Sequence, residues 1–350
     1  MRSQVISFVI IICIIYSCND KSKYDKIDID LSKYESIVDL YQYSDTINLI
    51  KLETTQESLI SGISRIIKDD TILIILDANN KSVLLFHSNG RFYNTIRRWG
   101  KGPGEYINID DIAVDKESDV IYVYDDHLRK VFSYDYLGNF LSDLYLPDFI
   151  MRSFAKKKNG NFLAFTPDLM HLRNGVWEFD TEGNVIREYA SVNKKHKLAW
   201  SAYPYFARID EKFSYLNYYD NYIYTLNEDK LEKKLKIKIK QKIPDKYLPF
   251  REGVDESFTG EYYMPSSLNE THNYYYFRNT SFVAKPGRIH VFIEKKSNQL
   301  IIANSLICDF EDYQNVQRLF SNNGKNFIGV LESSTGNNPA LVFFNLKPIQ

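Results

Sequence analysis

The sequence has no excess of positive or negative charge, and it has only three cysteines. It also has no apolar run that is long enough to cross a membrane. Its 44 lysines and arginines nearly match its 45 aspartates and glutamates, so it has no basic excess of the kind that a nucleic-acid surface needs. Its N-terminal apolar run, residues 5–16, falls short of the roughly 20 residues that a transmembrane helix requires. These absences argue against a nucleic-acid-binding protein and against a membrane-spanning one.

The cysteine at position 18 is the strongest signal near the N-terminus. Arg2 precedes the apolar run, and Ser17, a small residue, stands directly before Cys18. This order resembles a bacterial lipoprotein signal peptide, so we expect residues 1–17 to be removed and Cys18 to carry the lipid. Cys13 is the alternative attachment point, but the bulky Ile12 before it fits a small-residue cleavage site poorly. Several acyl chains on Cys18 would tether the protein to a bacterial envelope membrane, on its periplasmic side or its surface.

Cys308 is then the one free thiol of the mature chain, which excludes an intramolecular disulfide. It lies in the segment NSLICD, residues 304–309, which is typical of a half-buried strand. A catalytic cysteine needs a base that activates its thiol, and a half-buried strand residue explains this segment better, so we do not expect a catalytic nucleophile there.

A repeat of 48 residues organises the chain, which is rich in tyrosine and phenylalanine, with 27 and 22 residues. Such aromatic residues favour β-strands. Asp77 and Asp125 each close an apolar run and stand 48 residues apart. The residues that follow stay in step at the same offset, as the pairs Val83 and Val131, Phe86 and Tyr134, Gly90 and Gly138, and Phe92 and Phe140. A third copy follows at an offset of 45, with Trp177, Phe179, Asp180, Gly183 and Val185.

A period of 40 to 50 residues with several short strands is typical of a β-propeller. In the second copy we predict strands a to d at residues 111–114, 120–124, 130–134 and 140–146. Copies of this length predict six four-stranded antiparallel blades over residues 46–350. The last copy lacks its outer strand, so we expect residues 46–52 to supply it and close the ring, which removes exposed sheet edges. Residues 18–45 are expected to be a lipid-anchored tether and lead-in.

Four segments carry a family resemblance: RWGKGPGEY at 98–106, DDIAVD at 110–115, IYVYD at 121–125 and FSYDYLGNF at 132–140. Together they resemble the NHL-type repeat. With the signal-peptide pattern that ends at Cys18 and the segment LETT at 52–55, the chain is similar to the six-bladed β-propeller lipoproteins of Bacteroidetes. The resemblance implies the fold and an envelope location, and it implies no catalytic residues.

The two faces of such a propeller differ in their connections. The a-to-b and c-to-d turns share one face, here called the short-turn face, and are tight, as at residues 68–70 and 137–139. The b-to-c loops and d-to-a links share the other, the long-loop face, and include residues 97–108, 191–204 and 244–273. Long loops on a rigid scaffold usually carry binding, so we predict a binding rim on the long-loop face. Its candidate residues are Lys101, Glu105, Asp111, His127, Arg129, His171, Tyr205 and Arg208.

No motif on that rim identifies a reaction. The glycines of residues 100–104 (GKGPG) are followed by neither the Ser or Thr nor the helix of a phosphate-binding loop. His127 and His171 lie in corresponding loops but have no third ligand for zinc, so surface histidines are expected. Asp110 and Asp111 are adjacent on a strand, so only one of them can face the channel. We therefore predict no metal and no cofactor.

The favoured function is a non-enzymatic binding or scaffold propeller, a monomer anchored to the envelope. It would present a glycan, peptide or partner protein with its long-loop rim. The alternative is a metal-dependent lyase or lactonase with its site in the channel, which would require several carboxylate, Asn or His ligands to converge.

Overall fold

The computed structural model of the protein describes residues 24–148, 150–166, 175–190, 206–217, 220–244, 262–265, 268–281 and 284–349. Apart from one single-turn helix, the regular elements in these ranges are β-strands. No helix in this part of the chain has both the length and the apolar character for crossing a membrane. The predicted all-β propeller of four-stranded antiparallel blades is confirmed.

The described chain starts with three strands and the helix: β1 (Asp25–Ile29), β2 (Glu35–Asp39), α1 (Leu40–Tyr43) and β3 (Ser44–Lys51). The helix begins after Asp39, whose carboxylate accepts a hydrogen bond from the backbone N–H of Tyr41 at 3.0 Å. An aspartate in this position satisfies an N–H that has no partner inside the helix.

Three four-stranded sheets follow, in which each strand pairs with the next one along the chain. The first blade has β4 (Arg65–Asp69), β5 (Ile72–Asp77), β6 (Ser82–His87) and β7 (Phe92–Ile96). The second has β8 (Asp111–Asp115), β9 (Val120–Asp125), β10 (Lys130–Asp135) and β11 (Phe140–Tyr145). The third has β12 (Ser153–Lys156), β13 (Phe162–Thr166), β14 (Gly175–Phe179) and β15 (Val185–Ala190). The strands predicted for the second blade agree with these bounds to within one residue.

The fourth blade has β16 (Ala207–Ile209), β17 (Lys212–Asn217), β18 (Tyr222–Asn227) and β19 (Lys230–Ile239). Its outer edge carries β1 as a fifth strand, parallel to β19 and in register from Asp25 with Leu235 to Ile29 with Ile239. A strand in this position covers the edge of β19, which would otherwise expose unpaired backbone groups.

The remaining strands form one ten-stranded sheet together with β2 and β3. They are β20 (Met264–Pro265), β21 (Asn269–Glu270), β22 (Tyr274–Thr280), β23 (Arg288–Glu294), β24 (Leu300–Phe310), β25 (Tyr313–Asn322), β26 (Asn326–Ser333) and β27 (Ala340–Leu346). The sheet pattern thus separates four blades and one larger sheet, where the repeat length predicted six blades.

The strand predicted to close the ring, residues 46–52, pairs with the last strand as expected. Strand β3 runs antiparallel to β27, with Ile50 opposite Leu341 and Ile47 opposite Phe344. Within residues 18–45, the segment predicted as tether and lead-in, the structure has β1 and β2 as strands on the outer edges of β19 and β24. Their short alternating patterns lie outside the 48-residue repeat, so the repeat alone could not reveal them.

The core lies between blades, because each sheet buries both of its faces. In β5, Ile74 packs in a cluster with the second blade, whereas its neighbours Leu73 and Ile75 pack against Phe343 and other residues of the ten-stranded sheet. Successive strand residues point to opposite faces, so a strand between two neighbours must be apolar throughout. This explains the continuous apolar run that ends at Asp77.

The aspartates that define the repeat hold loops in place. The carboxylate of Asp125 is fully buried and accepts hydrogen bonds from four backbone N–H groups, those of Ile107, Asn108, His127 and Leu128. Asp77 likewise accepts from the backbone of Ser61 and Asn80. An aspartate at the end of strand b therefore fastens both the b-to-c loop and the preceding link between blades.

Candidate functional site

The inner strands surround an open cavity of about 460 Å³. Residues of β4, β8, β12, β16 and β25 line it, and we call it the channel cavity. A second cavity of about 400 Å³ shares Lys68, Lys116, Lys156 and Arg208 with it, and its other lining residues lie at the ends of inner strands and in the a-to-b turns. This mouth cavity therefore opens on the short-turn face.

Positive charge dominates the channel cavity. Seven cationic side chains line it, and no aspartate or glutamate does so among the residues that the structure describes. The seven are Arg65, Lys68, Lys116, Lys156, Arg208, Arg278 and Arg318. The whole chain has a formal net charge of −1, so this concentration of one sign is local.

The three lysines occupy equivalent places in successive blades. Lys68 lies near the end of β4, Lys116 directly follows β8, and Lys156 ends β12. Lys68 and Lys116 are 48 residues apart, which is the spacing of the repeat. Their ammonium groups donate to backbone carbonyls: Lys68 to Asp70 at 2.6 Å, Lys116 to Lys68, and Lys156 to Gly160.

The arginines are held by different contacts. Arg65, the first residue of β4, forms an ion pair with Asp111, the first residue of β8. The carboxylate of Asp111 also accepts from the backbone N–H of Phe154 in β12 at 2.9 Å, so this group joins three inner strands. Arg318 donates to the carbonyl of Ile63 at 2.8 Å, and Arg208 to that of Asp210 at 2.8 Å. Arg278 donates to the carbonyl of Gln317 at 3.2 Å.

Burial lowers the pKa values of several of these cations, since a low-dielectric surrounding disfavours the charged form. It does so for Lys68, Lys116 and Lys156. For Arg278 burial is again the largest cause, and the neighbouring charges of Arg288 and Arg318 lower its pKa further. Like charges therefore lie close enough to repel one another at this site.

Apolar side chains complete the cavity wall. They come from the same inner strands and from the segments beside them, and include Val114, Ala155, Phe206, Phe213, Leu268 and Phe320. A cavity with a mostly apolar wall and a few converging polar groups is the usual form of a small-molecule site.

The predicted rim is only partly brought together. Arg208 lines the channel cavity, and Asp111 is buried in its ion pair with Arg65. Lys101 and His127 are exposed, Glu105 accepts from the backbone N–H of Gly102 at 2.8 Å, and Arg129 donates to the carbonyl of Pro147. These four lie in loops of the long-loop face. His171, Tyr205 and Cys18 lie outside the described residues, and binding at the rim stays a prediction.

Sequence reasoning missed six of the seven channel cations. Arg65 and Arg318 are far apart in sequence and line the same cavity only because the blades form a ring, so no local pattern identifies them. The 48-residue spacing of Lys68 and Lys116 could have indicated these two lysines, because it places a lysine at the end of strand a in two successive copies of the repeat.

Three carboxylates come close together elsewhere. Among the described residues, Asp110, Asp125 and Asp126 lie near enough to share a cation. Asp125 is occupied by backbone N–H groups, and Arg152 lies 3.2 Å from Asp126 and 3.8 Å from Asp110. Burial raises the pKa of Asp110 to about 6. The cluster serves as a loop anchor in this geometry.

Solved structures share the fold of this chain. A Bacteroides fragilis protein that is predicted to be exported is 16% identical, with a TM-score of 0.72, over 92% of this chain and 99% of that one. A DUF4221 family member from Bacteroides vulgatus is 11% identical, with a TM-score of 0.53, over 87% and 97%. The WD40 repeats of RRP9 are 11% identical, with a TM-score of 0.51, over 86% and 98%. At these identities the likeness shows the fold alone.

Curated proteins gave no match to the sequence. A family model does match, over residues 25–338, and its description is a domain of unknown function, DUF4934. Because the match covers most of the chain, the protein belongs to the DUF4934 family.

Proposed function

We propose that the protein is an exported, lipid-anchored binding propeller whose ligand occupies the channel cavity and enters from the short-turn face. The observation that carries this proposal is the open cavity of about 460 Å³ that continues into the mouth cavity. Its walls stand on inner strands, which hold side chains more rigidly than loops do.

Six blades fit the strands of the ten-stranded sheet. Strand β24 pairs with β23 through residues 300–303 and meets β25 only near its far end, where Ile307 faces Asn315 and Phe310 faces Tyr313. We infer that this contact is a hairpin between two blades. One would contain β20 to β24, and the other β25 to β27 with β3.

Export and anchoring rest on the N-terminal sequence and on the structural relative. Residues 1–17 resemble a lipoprotein signal peptide, and the Bacteroides fragilis relative is predicted to be exported. Changing Cys18→Ser should abolish labelling by a fatty-acid probe. Continued labelling of the Cys18→Ser protein would contradict the anchor.

The rival role as a metal-dependent lyase or lactonase has less support. It needs ligands that converge in the channel, whereas the channel cavity is lined by cations and the acidic cluster is tied to backbone N–H groups. A positive lining repels a metal ion.

A ligand screen with paired tryptophan variants tests the binding site. Ser321 is half-buried and lines the channel cavity, and Ser334 is exposed on the long-loop face. Glycans, peptides and metabolites that raise the thermal midpoint of the wild type should lose this effect in Ser321→Trp and keep it in Ser334→Trp. A ligand that still raises the thermal midpoint of Ser321→Trp but not that of His127→Ala or Arg129→Ala would place binding at the rim.

A further inference from the structure

We propose that the ligand of the channel cavity is a small polyanion, a molecule that carries at least two carboxylate, phosphate or sulfate groups on a compact body. This inference rests on the proposed function, because it assigns a ligand class to the same cavity. It follows from how the cations are arranged, from what balances their charge and from how charge changes between the mouth and the interior.

The cations converge from different parts of the chain. Lys68 comes from β4, Lys156 from β12, Arg278 from β22 and Arg318 from β25. Side chains from so many blades can point at one space only around the ring axis. A ligand with several anionic groups could contact several of these cations at once. A ligand with a single anionic group could contact only some of them.

Carboxylates of the protein balance only some of this charge. Asp111 pairs with Arg65, Asp69 lies 3.9 Å from Lys116, and Glu211 lies 3.6 Å from Arg208. Lys68, Lys156 and Arg318 donate to backbone carbonyls, which bring no negative charge. Asp70 and Asp69 act electrostatically on Lys68, and Asp115 acts on Lys156. These carboxylates are fewer than the seven cations, so the cavity keeps a net positive charge that an anionic ligand would neutralise.

Like charges held together in a partly buried space oppose one another and lose hydration. Burial is the main cause of the lowered pKa values of Lys116 and Arg278, and neighbouring cations lower both pKa values further. An anion that binds among them relieves both effects, and the benefit grows with the number of its charges.

The mouth differs from the interior in its charge. Asp70, Asp115, Glu117, Asp210 and Glu211 line the mouth cavity together with lysines, whereas acidic residues are missing from the described lining of the channel cavity. An anion thus meets a mixed surface first and a positive one further in. The apolar walls formed by Phe206, Phe213 and Phe320 would contact the uncharged body of the ligand.

Calorimetric titration of the mature protein with defined probes tests the inference. Inorganic tripolyphosphate represents phosphates, benzenehexacarboxylate represents carboxylates, and trehalose is the uncharged control. We expect at least one anion to bind the wild type, with an affinity that falls as salt is raised. We expect at least tenfold weaker binding in Lys68→Gln and in Arg318→Gln, and retained binding in Lys68→Arg.

The matched control is Lys238→Gln, because Lys238 is a cation on β19 whose side chain is 56% exposed and is not part of the channel lining. It should bind like the wild type. Circular dichroism and thermal midpoints must show that all variants are folded; if Arg318→Gln is not, Lys68→Gln and Lys156→Met carry the test.

Two results would overturn the inference. If neither anion binds the wild type at millimolar concentration, the ligand is not a polyanion. If the anions bind equally to the channel variants, they bind elsewhere. In either case, a neutral ligand from the screen that is lost in Ser321→Trp would leave the proposed function standing, so the two failures are distinguishable.

Discussion

Arg65 and Asp111 form an ion pair between the inner strands of neighbouring blades, and the carboxylate side chain is fully buried. Replacing Arg65→Met should lower the free energy of unfolding by about 3 to 5 kcal/mol, because it leaves a buried charge without its cation. The control Lys238→Met removes an exposed pair with Asp28 and should cost less than about 1 kcal/mol. Urea unfolding measures both, and equal effects would contradict the structural role of Asp111.

Trp177 packs between the second and third blades with 1% of its surface exposed, and its indole N–H donates to Thr166 at 3.1 Å. We expect Trp177→Ala to cost about 3 to 5 kcal/mol of stability. Trp99 is 67% exposed, so Trp99→Ala should shift stability by only about 0.5 kcal/mol. Thermal unfolding of the two variants checks this, and a tolerated Trp177→Ala would argue against packing between blades.

Strands β1, β2 and β3 cover the outer edges of β19, β24 and β27. Deleting residues 24–51 should therefore expose three edges and produce aggregation. Deleting residues 19–23, which precede the described chain, should leave solubility and the thermal midpoint unchanged. Light scattering and size-exclusion chromatography measure the outcome, and a soluble monomer of normal midpoint after the longer deletion would contradict ring closure by β3.

The stability of the protein should depend on His290 at acidic pH. Burial, with Arg278 and Arg288 nearby, lowers the pKa of His290 to about 3, and its Nδ1 lies 2.8 Å from the hydroxyl of Tyr276. The unfolded chain takes up a proton at about pH 6.5, so the stability linked to neutral His290 is complete above that pH and declines as pH falls toward 3.

The variant His290→Gln removes this titration. Between pH 7 and pH 4.5 its free energy of unfolding should fall less steeply than that of the wild type, whatever its stability at neutral pH. Urea unfolding at several pH values provides the comparison. Parallel profiles would mean that His290 does not titrate in this range.

The sequence predicted the parts of the fold that the repeat specifies. The strands of the second blade could be predicted, because turns and apolar alternation are local features. The pairing of β3 with β27 could be predicted because the last copy of the repeat lacks its outer strand. Strands β1 and β2 could not, since no repeat relates them and no copy of the repeat lacks a strand in the places that they take.

The candidate site was predicted less well for a similar reason. Loop lengths favoured the long-loop face, and they are readable in sequence. The channel depends instead on side chains such as Lys68, Arg278 and Arg318, which come together only after the ring closes. The 48-residue spacing of Lys68 and Lys116 is the one feature of the channel that could be recognised in the sequence.

The most direct test of the central claim is the position of a bound oxyanion. Crystals of the mature protein soaked in selenate can be measured at the selenium absorption edge, where anomalous difference density locates each anion. We expect density in the channel cavity among Lys68, Lys116 and Arg318, and its loss in Lys68→Gln crystals. Density confined to the long-loop face or the outer surface, with an empty channel, would contradict it.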